Sequence, residues 1–145
     1  MTTDLKVGQK APDFNLESDS GENIKLSTLK GQKVVLFVYP KDSTPSWTRE
    51  AIAFRDGKQK LEQQGAIVLG LSGDSLASHE NFRKKYNLNF PLLSDPDKLI
   101  IGQYGAIKEK NMYGKKKLGI ARSTFIIDEQ GVIEKIFPNV SVDGH

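Results

Sequence analysis

The chain has 145 residues, with 37% hydrophobic and 27% charged side chains. That length and balance describe a soluble globular chain with one core that needs no staple or metal for stability, and they argue against disorder. Lys+Arg 21 against Asp+Glu 18 leaves a net charge of +3, and cysteine is absent. The missing thiols exclude disulfides, thiolate metal sites and cysteine catalysis. No apolar run approaches the roughly 20 residues of a membrane helix. Met1–Lys6 has no apolar signal region, so a cytoplasmic location without a membrane partner is expected. The positive excess is spread out, apart from Lys108, Lys110 and Lys115-Lys116-Lys117. This run reads as a solvated loop, and no nucleic-acid partner is expected.

In chain order, Asp13–Leu16 and Asn23–Leu26 alternate around Ser20-Gly21 and predict a hairpin. A short helical turn closes at Leu29-Lys30-Gly31. Val34–Tyr39 is a continuous apolar, β-branched run, the pattern of a central strand buried on both faces. Pro40 stops it. Thr44 is a good N-cap and Pro45 suits a first helical position, so a helix is predicted from Pro45 toward Gln64. Its buried face is Trp47, Ala51, Phe54 and Leu61. Gly57 predicts a bend or break, and Gly65 a C-cap. Ala66–Ser72 is a second buried strand. Asp74-Ser75 caps a helix over Leu76–Tyr86, Phe90–Leu93 is extended, and Asp95-Pro96 starts a helix ending near Tyr104. Ser123–Asp128 and Val132–Phe137 form a closing hairpin around Glu129-Gln130-Gly131. Parallel β-α-β connections followed by an antiparallel edge predict an α/β, thioredoxin-like fold: a mixed central sheet flanked by helices, with an N-terminal β-hairpin. A flavodoxin-like sheet is the structural alternative.

Ligands of α/β sheets bind beyond the carboxyl ends of strands. The loop from Tyr39 to Trp47 lies there, ahead of a helix N-terminus whose dipole favours anions and ionised nucleophiles. Gly70–Ser75 reads as a plain strand-to-helix turn, since it lacks the lysine and spacing of a phosphate loop. The two histidines form no metal motif, and His79, beside Glu80, reads as a solvated helix position.

The segment Tyr39-Pro40-Lys41-Asp42-Ser43-Thr44-Pro45-Ser46-Trp47-Thr48-Arg49-Glu50-Ala51 resembles the active-site loop of the peroxiredoxins, in their bacterioferritin comigratory, or Q-type, branch. Gly8–Phe14, Ala51–Asp56, Met112–Lys116 and Gly119–Asp128 extend the likeness in order over nearly the whole chain. The resemblance implies one thioredoxin-like domain over residues 1–145, without the family's C-terminal helix. It also implies a thiol-dependent peroxidase framework that reduces hydrogen peroxide and organic hydroperoxides, with a thioredoxin-type reductant, no cofactor, a monomeric state and a role in antioxidant defence. Pro40 and Thr44 match the family's Pro-x-x-x-Thr-x-x-Cys pattern. Trp47 occupies the peroxidatic cysteine position, Ser46 replaces the usual preceding glycine, and Ile52 occupies the resolving cysteine position.

The resemblance further implies that Thr44 hydrogen-bonds the peroxide, Pro40 shields the pocket, Arg122 holds a thiolate charged, and Glu50 orients an arginine. An indole has no thiolate, and a serine oxygen cannot be oxidised further. Met112 oxidises only slowly, as damage. The chain is therefore expected to be inactive, through engineered replacement or natural drift. The alternative is a non-catalytic binding or holdase module on the same fold. A nucleotide-binding flavodoxin-like domain is the remote reading.

Overall fold

The computed structural model describes residues 6–40, 42, 45–112, 115–120 and 122–138. Two short strands, β1 (Asn15–Glu17) and β2 (Asn23–Lys25), pair antiparallel as the N-terminal hairpin. A 3-10 turn at Leu26–Leu29 leads into β3 (Lys33–Val38). Then follow α1 (Pro45–Gln63), β4 (Ala66–Ser72), α2 (Leu76–Tyr86), β5 (Leu92–Ser94) and α3 (Leu99–Gln103). A second hairpin, β6 (Ile107–Met112) with β7 (Lys115–Ile120), precedes β8 (Ser123–Ile127) and β9 (Ile133–Pro138).

The main sheet runs β5-β4-β3-β8-β9, with β3 parallel to β4 and antiparallel to β8. This mixed sheet with flanking helices is the thioredoxin-like arrangement expected from the sequence. β3 is its centre because both of its faces are covered. Val34, Leu36 and Val38 enter one core with Leu69, Leu71, Leu93, Ile101 and Tyr104. Val35, Phe37 and Tyr39 enter another, packed by Trp47 and Ala51 of α1 and by Phe82 of α2. Strand period two thus divides one apolar run between two layers.

Local signals account for most element ends. Ser75 caps α2 by accepting from the Ser78 amide, as short hydroxyl side chains do. Gly65 takes a positive φ of 79° after α1, a conformation that only glycine adopts freely. Three expectations need correction. α1 passes through Gly57 without a break, because the helix is held by its apolar face rather than by propensity at one residue. α3 starts at Leu99 rather than Pro96, since the Asp95 carboxylate reaches forward to accept from the Ile101 amide. The lysine-rich stretch is a strand pair, not a loop. Among the described residues no helix is long and apolar enough to cross a membrane.

Leu36 is fully buried at the centre of β3. Leu36→Ala should cost about 2–5 kcal/mol, read as a lower urea midpoint. A loss under about 1 kcal/mol would contradict a central position for this strand.

Candidate functional site

The site grows out of the carboxyl end of β3. α1 begins at Pro45, and Trp47 sits in its first turn with 0% exposure. Its indole lies face to face with Tyr39, ring centroids 4.0 Å apart and planes 12° from parallel. Phe37 stacks at 4.9 Å, Phe82 at 6.3 Å, and Phe90 meets it edge-on at 6.4 Å. The indole therefore turns into the core beneath α1 instead of swinging outward. Gly70 of β4 permits this. A Cβ there would lie 3.5 Å from Trp47 Cζ2, 3.3 Å from Tyr39 Cε1 and 2.8 Å from Leu92 Cδ2. Trp47 Nε1 is buried with no hydrogen-bond partner among the described residues.

The other candidate residues surround this stack to different degrees. Glu50 follows one turn later on the same face of α1 and is 3% exposed. Ile52 is half-buried on the flank, about 140° around the helix from Trp47. Arg122 immediately precedes β8, whose Ser123 pairs with Val38. The antiparallel register therefore brings Arg122 to the level of Tyr39, at the mouth of the loop. Arg122 and Glu50 are both engaged within the fold. Pro40 is exposed. Thr44, with Lys41 and Ser43, lies outside the described residues, as do the side chain of Met112 and the chain beyond Pro138.

Beside the stack lies a polar cluster that the sequence did not announce. His79 is fully buried, not solvated. The helical period puts it on the face of α2 that carries Phe82 and Tyr86, and that face is packed on the sheet. Its Nδ1 lies 2.7 Å from Asp42 Oδ2, and its Nε2 lies 2.9 Å from the Leu93 carbonyl. The Tyr39 hydroxyl donates to Asp42 Oδ1 at 2.7 Å, and Ser78 donates to Asp42 Oδ2 at 2.9 Å. The Asp42 amide donates to Asp74 Oδ2 at 2.6 Å. Burial, reinforced by the Asp42 charge, lifts the Tyr39 phenol well above its ordinary value of 10.0, so it stays a donor. Asp42, Asp74 and His79 place three potential ligand atoms within 4.8 Å of one another. Those atoms already bond to one another or to neighbouring groups, so the cluster reads as a hydrogen-bond network.

A cleft of about 600 Å³ opens elsewhere, between the first hairpin, Ser94-Asp95 and α3. None of the candidate residues lines it.

The mixed five-stranded sheet, its flanking helices and the N-terminal hairpin define a thioredoxin-like protein. The chain belongs to the AhpC/TSA family, whose model matches residues 7–136, and within it to the peroxiredoxins of the bacterioferritin comigratory, Q-type branch. It is 53% identical over 141 residues to a putative peroxiredoxin Bcp of Coxiella burnetii, covering 97% of this chain and 93% of that protein. Peroxiredoxin Bcp of Bacillus subtilis is 43% identical over 141 residues, covering 97% and 90%. The bacterioferritin comigratory protein of Xanthomonas campestris, solved in a study of alkyl peroxide reduction, superposes with a TM-score of 0.91 at 39% identity, covering 97% and 92%. A cysteine-to-serine mutant of Xylella fastidiosa PrxQ gives 0.92 at 35%, covering 99% and 91%.

Gly70→Ala should cost about 1–3 kcal/mol, because Leu92, Tyr39 and Trp47 leave no room for a methyl group. Urea unfolding followed by Trp47 emission measures it. An unchanged midpoint would mean that the stack has slack.

Proposed function

We propose that this chain is a catalytically silent member of a thiol peroxidase lineage. The lineage's activity is thioredoxin-dependent reduction of hydrogen peroxide and organic hydroperoxides. The observation that carries the reading is Trp47, at the expected peroxidatic position, with 0% exposure and stacked on Tyr39 in a chain with no cysteine. Peroxide reduction needs a thiolate that attacks oxygen, and an indole in the core offers neither the nucleophile nor the access. In the proposed site Arg122, Glu50, Thr44 and Pro40 would surround the nucleophile, and Ile52 marks the resolving position. The β3–β8 register supports the Arg122 assignment by bringing it to the loop mouth. The reading includes one domain, a monomer and a cytoplasmic location. The same closure of the core under α1 also favours a second reading, a non-catalytic binding or holdase module.

The purified chain should consume no hydrogen peroxide in a thioredoxin-coupled assay. Turnover above the blank would overturn the reading. Trp47→Cys should restore one turnover, at a helix N-terminus that depresses a thiol pKa. It should also lower stability, because the space under α1 empties.

A lasting intrachain disulfide should require Ile52→Cys as well. On an intact helix positions 47 and 52 are separated by about 7.5 Å of rise and about 140°. A disulfide needs Cα atoms roughly 4.4–6.8 Å apart, so its formation must unwind the start of α1. Far-UV circular dichroism of the double variant before and after peroxide should show lost helix, while the unsubstituted chain stays wound. A disulfide formed with full helix would contradict this geometry.

A further inference from the structure

The donor and acceptor inventory of the buried cluster fixes a charge state. A neutral imidazole has one donor and one acceptor nitrogen. His79 Nε2 faces the Leu93 carbonyl at 2.9 Å, which can only accept, so Nε2 carries a proton. His79 Nδ1 faces Asp42 Oδ2 at 2.7 Å and the Tyr39 hydroxyl at 3.4 Å, and that hydroxyl spends its proton on Asp42 Oδ1 at 2.7 Å. That carboxylate already receives the Tyr39 and Ser78 hydroxyls, the environment of an ionised acceptor. Nδ1 must then donate too. We infer that His79 is a buried imidazolium paired with Asp42, and that this ion pair is the positioning device for the β3–α1 loop.

The pair gathers four elements on one loop residue. Tyr39 ties Asp42 back to the end of β3. Asp74, after β4, accepts from the Asp42 amide and from Ser72 Oγ. Ser78 and His79 hold it from α2, and through His79 it reaches β5 at Leu93. Asp42 stands three residues before Pro45, where α1 begins. Holding it therefore sets where the chain leaves the sheet and how Trp47 enters the core.

Among the described residues, the titratable groups facing His79 are Asp42, Tyr39 and Asp74, and β5 offers it the Leu93 carbonyl. On α2 itself Glu80 is exposed and paired with Lys84. Burial is the strongest single influence and opposes the proton. The Asp42 hydrogen bond and charge, the Leu93 carbonyl and the Asp74 charge together outweigh it and lift His79 above its ordinary value of 6.5. A raised folded-state value stabilises the fold fully below the unfolded value, and that stability is lost as pH climbs through the folded one. The device thus loosens on the alkaline side. Losing one ring proton removes the counter-charge of the buried carboxylate and takes a donor from either that carboxylate or the Leu93 carbonyl, and buried groups tolerate that poorly.

Two-bond ¹H–¹⁵N spectra of the full chain labelled with ¹⁵N-histidine test this directly. The chain has two histidines and one tryptophan, so His79→Gln assigns the signals and Trp47 emission reports the loop. At neutral pH both His79 nitrogens should show imidazolium shifts. Their titration midpoint should lie above that of free histidine, with Trp47 emission changing in step. Asp42→Asn should move the midpoint to lower pH, and Asp42→Asn with His79→Gln should abolish the step in emission. A neutral-tautomer pattern at neutral pH, or a midpoint that Asp42→Asn does not move, would overturn the inference. Should His79→Gln fail to fold, the wild-type spectra and Asp42→Asn alone decide it.

Discussion

Tyr39 is held from two directions, and the loop side of the molecule depends on it. Its ring face is covered by Trp47 at 4.0 Å, and its hydroxyl is bound to Asp42. Its amide donates to the Leu71 carbonyl at 3.0 Å, which keeps it in line with the sheet. The residue that directly follows β3 is therefore the one on which Asp42 and the start of α1 are set. Aromatic stacking draws the first turn of α1 down. The phenol, Asp74, Ser78 and His79 fix Asp42 beside it, three residues before α1 begins.

Strands buried on both faces were legible because β-branched runs such as Val34–Val38 leave no polar position to expose. Ser75 and Gly65 were legible because caps act on adjacent backbone groups. The β6–β7 hairpin was not. Its pairs include Lys110 with Lys117 and Asn111 with Lys116, so no apolar alternation marks it. Backbone ladder bonds carry no signature in hydropathy. α3 was misplaced because Asp95 can cap a helix at once or reach ahead, and only the folded geometry chooses.

The candidate site shows the same division. Resemblance named positions 40, 44, 47, 50, 52 and 122, and the helical spacing of Trp47, Ala51, Phe54 and Leu61 put the indole on the buried face of α1. What no local pattern gave is the room for the stack, which depends on Gly70 of β4 leaving space beside Tyr39. His79 had a signal: it stands three and seven residues before Phe82 and Tyr86, on their face of α2. Its partner Asp42 is 37 residues distant, and no local pattern links them.

Magnitudes explain why a tryptophan is stable where it stands. Burying an indole removes roughly 150–250 Å² from water. At about 25 cal/mol per Å² that contributes roughly 4–6 kcal/mol. Against it stands the buried Nε1 donor, whose lost hydration costs about 1–3 kcal/mol. Burial wins, and stacking on Tyr39 and Phe37 adds to it. The indole also opposes any unwinding of the first turn of α1, since Trp47 would have to leave four aromatic neighbours. A reactive side chain at that turn must instead be reachable, and the turn must open when a disulfide forms. Stability and reactivity therefore make opposite demands on position 47. Trp47 meets the first demand, which is why the framework around it is well packed.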